Sequence, residues 1–223
     1  MSKQFIAILA AIVIIFIGIF AISNHKSGNG NSSNTNTLTQ HLEGTGQDGI
    51  LLVEYGDYQC PYCGEYYATV KQIASEYNQQ IKFQFRNFPL VNVHQNAFAG
   101  ARAAEAAAMQ NKFWQMHDLL YDQNVAYYNS NQQLSTWISA SDPLTVFDQD
   151  AQSLDLNVSK FNTDYASNTV NNLINADENE GTKLGVDATP TFFLDGKKEQ
   201  PNNSVSAFES LINAEIAKKA VKH

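Results

Sequence analysis

Two cysteines separated by two residues are the side chains of this sequence best suited to chemistry. They are Cys60 and Cys63, in the run Cys-Pro-Tyr-Cys, and the 223-residue chain contains no other cysteine. A pair with this spacing can open and close a disulfide, or it can supply two ligands to a metal ion. Pro61, which follows the first cysteine, suits the first turn of a helix because its missing N–H leaves no donor unpaired there.

Other interpretations of the pair remain open. A structural disulfide across so short a loop would add little stability. A zinc site would need further ligands, yet the sequence has no second CxxC motif and its five histidines show no HxxxH spacing. Two cysteines can also fall in one helical turn without any function. We favour a redox pair that needs neither a metal nor an organic cofactor.

The redox interpretation requires a strand that leads the pair onto a helix. Residues 50–55 are apolar and β-prone, which predicts a buried strand. Residues 65–77 carry large apolar side chains at helical spacing, which predicts a helix. A sulfur at a helix N-terminus faces unpaired N–H groups and the positive end of the helix dipole, and both favour thiolate over thiol. We therefore expect Cys60 to be the exposed nucleophile with a lowered pKa, and Cys63 to be its disulfide partner.

The remaining segments complete an α/β pattern. Alternation over residues 81–85 predicts a strand parallel to the first, joined to it by a right-handed crossover. Residues 191–199 predict a hairpin that turns at Asp195-Gly196, and residues 205–217 predict a closing helix. Between the parallel strand and the hairpin, helices are predicted over residues 96–110, 112–121, 144–154 and 158–176.

The sequence also resembles a known family. The run from Val53 to Cys63 is similar to the active-site segment of DsbA-like thiol–disulfide oxidoreductases of the thioredoxin superfamily, and later segments match in the same order. These later segments are Arg86–Leu90, Lys112–Asp118 and Gly185–Phe193. The resemblance covers about residues 50–216 and implies a thioredoxin fold with an inserted helical subdomain at about residues 95–183.

The resemblance implies a substrate-binding loop near the cysteines. It identifies Thr189-Pro190 as the family's cis-proline loop, which lies against the CxxC pair and can pair with an extended peptide. Pro190 is thus predicted to take part in catalysis, and Thr189, Pro61 and Tyr62 are predicted to contact the substrate.

Glu54 lies in the apolar run six residues before the first cysteine. The residues alone allow a carboxylate at the end of a strand that reaches solvent or a tyrosine hydroxyl. The resemblance instead implies a buried catalytic acid that helps proton transfer to and from the second cysteine. A carboxyl group with a raised pKa could do this near neutral pH.

The N-terminal region predicts attachment to a membrane. Residues 5–22 carry no charge and would span about 27 Å as a helix. The run is longer than a usual signal core of about 7–15 residues, so we favour an uncleaved anchor over residues 1–23 rather than a cleaved secretory signal. Residues 24–47, rich in Ser, Asn, Thr and Gly, predict a disordered linker, and residues 48–223 predict the folded domain.

These features together predict an exported, monomeric dithiol oxidase. The net charge of −8 argues against nucleic acid as a partner. The expected partners are unfolded or partly folded exported proteins with cysteines, and a quinone-linked membrane oxidase that restores the disulfide. We expect the catalytic domain outside the cytoplasm, at a bacterial cell surface or in a periplasm, with a cleaved secreted form as the alternative. A reductase or isomerase of the same fold, or a metal-binding or peptide-binding module without turnover, are the competing functions.

Overall fold

A five-stranded mixed sheet organises the protein. The computed structural model describes residues 37–221, so the predicted anchor over residues 1–23 lies outside the described residues. The strand order is β1-β3-β2-β4-β5. The strands are β1 (His41–Glu43), β2 (Ile50–Gly56), β3 (Ile81–Asn87), β4 (Thr191–Leu194) and β5 (Lys197–Glu199). The helices are α1 (Pro61–Glu76), α2 (Ala97–Ala108), α3 (Phe113–Asn129), α4 (Leu144–Ser153), α5 (Val158–Tyr165), α6 (Asn168–Lys183) and α7 (Val205–Ala220).

The central strand β2 leads directly to the cysteines. It pairs in parallel with β3 and antiparallel with β4, and α1 connects it to β3. The predicted strand, the predicted parallel pairing and the predicted helix after the cysteines are all confirmed. Because β2 has a neighbour on each side, the segment that follows it starts from a fixed position in the middle of the sheet.

The first strand was not predicted. Residues 41–43 pair antiparallel with β3, so the predicted linker over residues 24–47 is wrong at its C-terminal end. The carboxylate of Asp177 on α6 accepts hydrogen bonds from the Thr39 amide at 3.0 Å and the Thr39 hydroxyl at 2.6 Å. The same carboxylate accepts from Arg86 at 3.0 Å. Residues 39–43 are thus ordered by pairing with β3 and by these buried hydrogen bonds, although their polar composition does not suggest it.

Five helices lie between β3 and β4, where the sequence predicts a helical region. The prediction of one helix over residues 158–176 is wrong, because two helices cover this segment: α5 ends at Tyr165 and α6 starts at Asn168. The Ser167 side chain accepts a hydrogen bond from the amide of Val170, which caps the second of the two helices. None of the helices within residues 37–221 is long and apolar enough to cross a membrane.

Two main clusters of buried side chains fill the interior. One packs the sheet against α1 and α7 and includes Ile73 and Phe208. The other surrounds Cys60 and Cys63 with side chains of the helical region, such as the fully buried Trp137. The cysteines therefore lie where the sheet-bearing part of the chain meets the helices between β3 and β4.

Candidate active site

Cys60 is the N-cap residue of α1. Its backbone is extended, with φ −68° and ψ 124°, and Pro61 begins the helix as predicted. The Cys60 amide donates to the carbonyl of Asp57 at 3.1 Å, so a tight turn connects β2 to the helix. Both cysteines are free thiols. The sulfur of Cys60 thus lies at the helix N-terminus with its partner one turn further along.

The expectation that Cys60 is exposed is wrong, because the side chain is only 3% exposed. Its Sγ donates a hydrogen bond to the carbonyl of Thr189 at 3.4 Å. The Thr189-Pro190 bond is cis, as the resemblance implies, and both residues are buried. The loop before β4 therefore covers the cysteine, while Tyr62, two residues further along the chain, is 63% exposed.

The two thiols have opposite acidities. A hydrogen bond from Cys63 is the largest of the effects that lower the pKa of Cys60 to about 6, and the side chain of Thr189 acts in the same direction. Two effects act in the opposite direction: burial and the nearby charge of Asp57 both raise the pKa of Cys60. Burial is the main cause that raises the pKa of Cys63 above its ordinary value. At neutral pH the dithiol form therefore carries its negative charge on Cys60, and Cys63 keeps its proton.

Glu54 is buried in β2, with 3% exposure. Burial raises the pKa of its carboxyl to about 8, and the Cys60 charge adds to the effect. The carboxyl lines a cavity of about 20 Å³, which has room for about one water molecule. Lys71, His117 and Asp118 are among the other residues that line this cavity. The interpretation of Glu54 as a carboxylate at a strand end that reaches solvent is wrong.

The carboxylate of Asp57 organises the turn before the cysteines. It accepts hydrogen bonds from the amide of Gln59 at 2.8 Å, the amide of Leu90 at 3.0 Å and Nδ1 of His94 at 2.7 Å. Its side chain is fully buried. One carboxylate therefore joins the turn to the loop after β3.

Comparison with known proteins identifies the family. Residues 37–214 match the family described as thioredoxin. The chain belongs to this thioredoxin family. A relative named probable disulfide bond formation protein D, from Bacillus cereus, is 26% identical over 215 residues, with 94% of each chain covered. The structure of alpha-DsbA1 from Wolbachia pipientis superimposes with a TM-score of 0.67 at 22% identity, and the match covers 86% of this chain and 99% of that one. These matches confirm the resemblance to DsbA-like members of the thioredoxin superfamily that is seen in the sequence.

Other relatives are much longer than this thioredoxin-family chain. The Na(+)/H(+) antiporter NhaA 3 of Salinispora tropica is 30% identical over 179 residues, which make up 79% of this chain and 25% of the antiporter. The chain thus spans about a quarter of the length of the antiporters that it matches.

Two features of this thioredoxin-family site were not predicted from the sequence. His117 is buried, and this burial lowers the pKa of its imidazole to about 3, so the ring is neutral at physiological pH. Its Nδ1 lies 3.1 Å from the hydroxyl of Tyr58. The second feature is a set of hydrogen bonds from α3 to the turn before Cys60. Both depend on packing between distant segments, which residue spacing does not reveal.

Proposed function

We propose that this DsbA-like thiol–disulfide oxidoreductase works as a dithiol oxidase that introduces disulfides into exported proteins. The observation that carries the proposal is the position of Cys60 at the N-terminus of α1, where the pKa of its thiol is lowered. A dithiol catalyst oxidises its substrates when its reduced form is the stabilised one. With the pKa of Cys60 at about 6, roughly nine-tenths of this thiol is ionised at pH 7. Closing the disulfide removes this stabilisation.

The reaction proceeds in two exchanges at Cys60. A substrate thiolate attacks Sγ of Cys60 in the disulfide form, the bond to Cys63 breaks, and Cys63 leaves as a thiolate that takes up a proton. A second substrate thiolate then attacks the substrate sulfur of the mixed disulfide and releases Cys60 as a stable thiolate. Two electrons pass from the substrate to the pair, and the substrate gains one disulfide.

Glu54 is proposed to supply the proton for Cys63. With a pKa of about 8 the carboxyl is protonated at neutral pH, so it can donate. Its charge, when present, raises the pKa of Cys63, which indicates that the two groups interact. The cavity beside Glu54 has room for a water molecule that could return the proton from solvent.

The loop at Thr189-Pro190 is proposed to hold the substrate peptide. It lies against Cys60, and Tyr62, two residues after this cysteine, is exposed. Backbone groups of such a loop can pair with an extended chain and make little demand on its sequence. Pro61, half-buried at the start of α1, would border the same surface.

The cellular setting also remains a proposal. We propose that residues 1–23 anchor the protein, as a monomer, with its catalytic domain outside the cytoplasm, where disulfides persist. A quinone-linked membrane oxidase would then accept the two electrons and restore the disulfide. The name of the Bacillus cereus relative, probable disulfide bond formation protein D, supports disulfide formation as the activity.

The redox equilibrium with glutathione tests the direction of the reaction. The reduction potential of thioredoxin is about −270 mV and that of DsbA is about −120 mV. The most oxidising members have a histidine between the cysteines, which this protein lacks, so we expect a value of roughly −130 to −190 mV. In a Cys63→Ala variant, Cys60 should accumulate mixed disulfides with exported proteins. A potential below about −240 mV would contradict an oxidase and favour the reductase.

A further inference from the structure

Three successive carbonyl groups before α1 receive hydrogen bonds from one helix of the region between β3 and β4. Nδ2 of Asn124 donates to the carbonyl of Tyr58 at 2.8 Å and to that of Cys60 at 3.1 Å. The hydroxyl of Tyr128 donates to the carbonyl of Gln59 at 3.0 Å. Asn124 and Tyr128 are four residues apart on α3, so they share one face of the helix. This face of α3 contacts the whole turn that carries the nucleophile.

The helix α3 also approaches α1 very closely at this point. Gly64, directly after Cys63, has no side chain, and a Cβ there would collide with Oδ1 of Asn124. The two hydrogen bonds of the Asn124 amide fix which side of the group faces the carbonyls. Its Oδ1 is buried and has no hydrogen-bond partner among the described residues. A buried acceptor without a partner costs free energy, so the amide is held here by its donor side.

The position of Sγ of Cys60 depends on this backbone. The backbone amide of Cys63 is among the groups that lower the pKa of Cys60. The extended N-cap backbone of Cys60 places its sulfur near this amide, at the N-terminus of α1. The carbonyl of Cys60 also accepts from the Gly64 amide at 3.2 Å. If the carbonyls of Tyr58 and Gln59 were free to turn, one of them could approach the thiolate in place of an N–H group. A further carbonyl dipole directed at the sulfur, in addition to that of Thr189, would oppose its ionisation.

We propose that Asn124, together with Tyr128, is a positioning residue for the nucleophile, because it holds the turn at residues 58–60 in the conformation that stabilises the Cys60 thiolate. The helical region thereby sets the redox equilibrium of a cysteine pair that it does not contain. The inference rests on the proposed thiol–disulfide exchange at Cys60, but it does not depend on the direction of that exchange.

The alternative is that these bonds only hold α3 against the turn. Loss of the bonds would then reduce the stability of the dithiol and disulfide forms by equal amounts, and the acidity of Cys60 would not change. The two roles therefore differ in what happens to the thiolate and to the redox equilibrium, whatever happens to overall stability. Other charged or titratable groups that influence Cys60 are Asp57, Cys63, Glu54 and His94.

Two variants of the full-length protein test the proposal. Asn124→Leu keeps the branched shape and the number of heavy atoms and removes both donors, and Tyr128→Phe removes a single hydroxyl. The measurements are the thiolate absorbance of Cys60 against pH and the equilibrium with glutathione. Asn124→Leu should raise the pKa of Cys60 by about one unit and shift the equilibrium about tenfold towards the disulfide form. Tyr128→Phe should act in the same direction by a smaller amount.

Tyr127→Phe is the matched control. This neighbour on α3 makes no hydrogen bond to the turn among the described residues, so the same substitution there should change neither measurement. If Asn124→Leu does not fold, Tyr128→Phe still decides the question, because it deletes only one oxygen. An unchanged Cys60 pKa in Tyr128→Phe, with both redox forms equally destabilised, would overturn the proposal. That result would leave the oxidase function itself untouched, since the oxidase is tested by the potential of the unmodified protein.

Discussion

The imidazole of His94 donates a hydrogen bond from Nδ1 to the buried carboxylate of Asp57 at 2.7 Å, three residues before Cys60. The bond to Asp57 is the main cause that raises the pKa of His94, and the charge of Cys60 adds to it. The Asp57 carboxylate is needed to hold the turn, yet its charge disfavours the Cys60 thiolate. A protonated His94 offsets that charge.

Removal of the His94 charge should therefore weaken the oxidant. In His94→Gln we expect the pKa of Cys60 to rise by roughly half a unit to one unit, with a matching shift of the glutathione equilibrium towards the disulfide form. The effect should be largest between about pH 6, where Cys60 ionises, and the raised pKa of His94. Above that pKa the imidazole is neutral, so the effect should fade. Titration of the Cys60 thiolate against pH, in the variant and in the unmodified protein, measures both the pKa shift and its dependence on pH.

His41→Gln provides the matched control for His94. His41 also pairs with a buried carboxylate, that of Glu105 at 2.8 Å. It lies on β1, which β3 separates from the strand that leads to the cysteines. The substitution should leave the Cys60 titration unchanged. Equal shifts in both histidine variants would mean that a general charge effect, rather than the pair with Asp57, is responsible.

The hydroxyl of Thr189 is buried and has no partner among the described residues. The side chain of Thr189 helps to lower the pKa of Cys60, so we expect its hydroxyl to donate to the Cys60 sulfur once the thiol has ionised. Thr189→Val should raise the pKa of Cys60 by about one unit. Thr189→Ser, which keeps the hydroxyl, should restore most of the acidity. If the pKa of Cys60 rises as much in Thr189→Ser as in Thr189→Val, packing around Thr189 and not its hydroxyl would be the cause.

Glu54 should make the stability of the protein fall as the pH rises. Its pKa is raised from 4.5 to about 8 on folding, so the folded form binds more protons between these values. The contribution of Glu54 to the free energy of unfolding is present below about pH 4.5 and is lost as the pH rises through about 8. The unfolding free energy of Glu54→Gln, compared with that of the unmodified protein, should therefore increase by roughly 3–5 kcal/mol from pH 4.5 to pH 8.

Denaturant unfolding across that pH range measures the Glu54 effect. Glu65→Gln is the control, because Glu65 is exposed on α1 and should not alter the slope of stability against pH. Identical pH profiles for Glu54→Gln and the unmodified protein would contradict a neutral, buried carboxyl.

Residues 37–47 should be needed for full stability. A chain that begins at residue 48, the boundary predicted from composition, lacks β1 and leaves the buried Asp177 without its two bonds from Thr39. Compared with a chain that begins at residue 37, it should lose about 2–5 kcal/mol of unfolding free energy in urea. Thr39→Val in the longer chain removes one of the bonds and should cost less. Equal stability of the two chains would show that β1 is dispensable.

Sequence patterns were sufficient where the structure is set by neighbouring residues. The strand before the cysteines, the helix after them and the hairpin at Asp195-Gly196 follow from local alternation, spacing and turn residues. The strand at residues 41–43 lacks such a pattern, since it is ordered by pairing with β3. The CxxC motif identifies its cysteines directly, but the burial of Cys60 comes from the loop at Thr189, over a hundred residues later in the chain.

The contact between Gly64 and Asn124 has a consequence for how such proteins diversify. A side chain larger than hydrogen at position 64 collides with the amide at position 124, so neither position can be exchanged freely without the other. Among homologues, a larger residue after the second cysteine should therefore occur with a smaller one at the facing position of the helix. Transfer of this helical region onto a different thioredoxin scaffold would require a glycine at the same place.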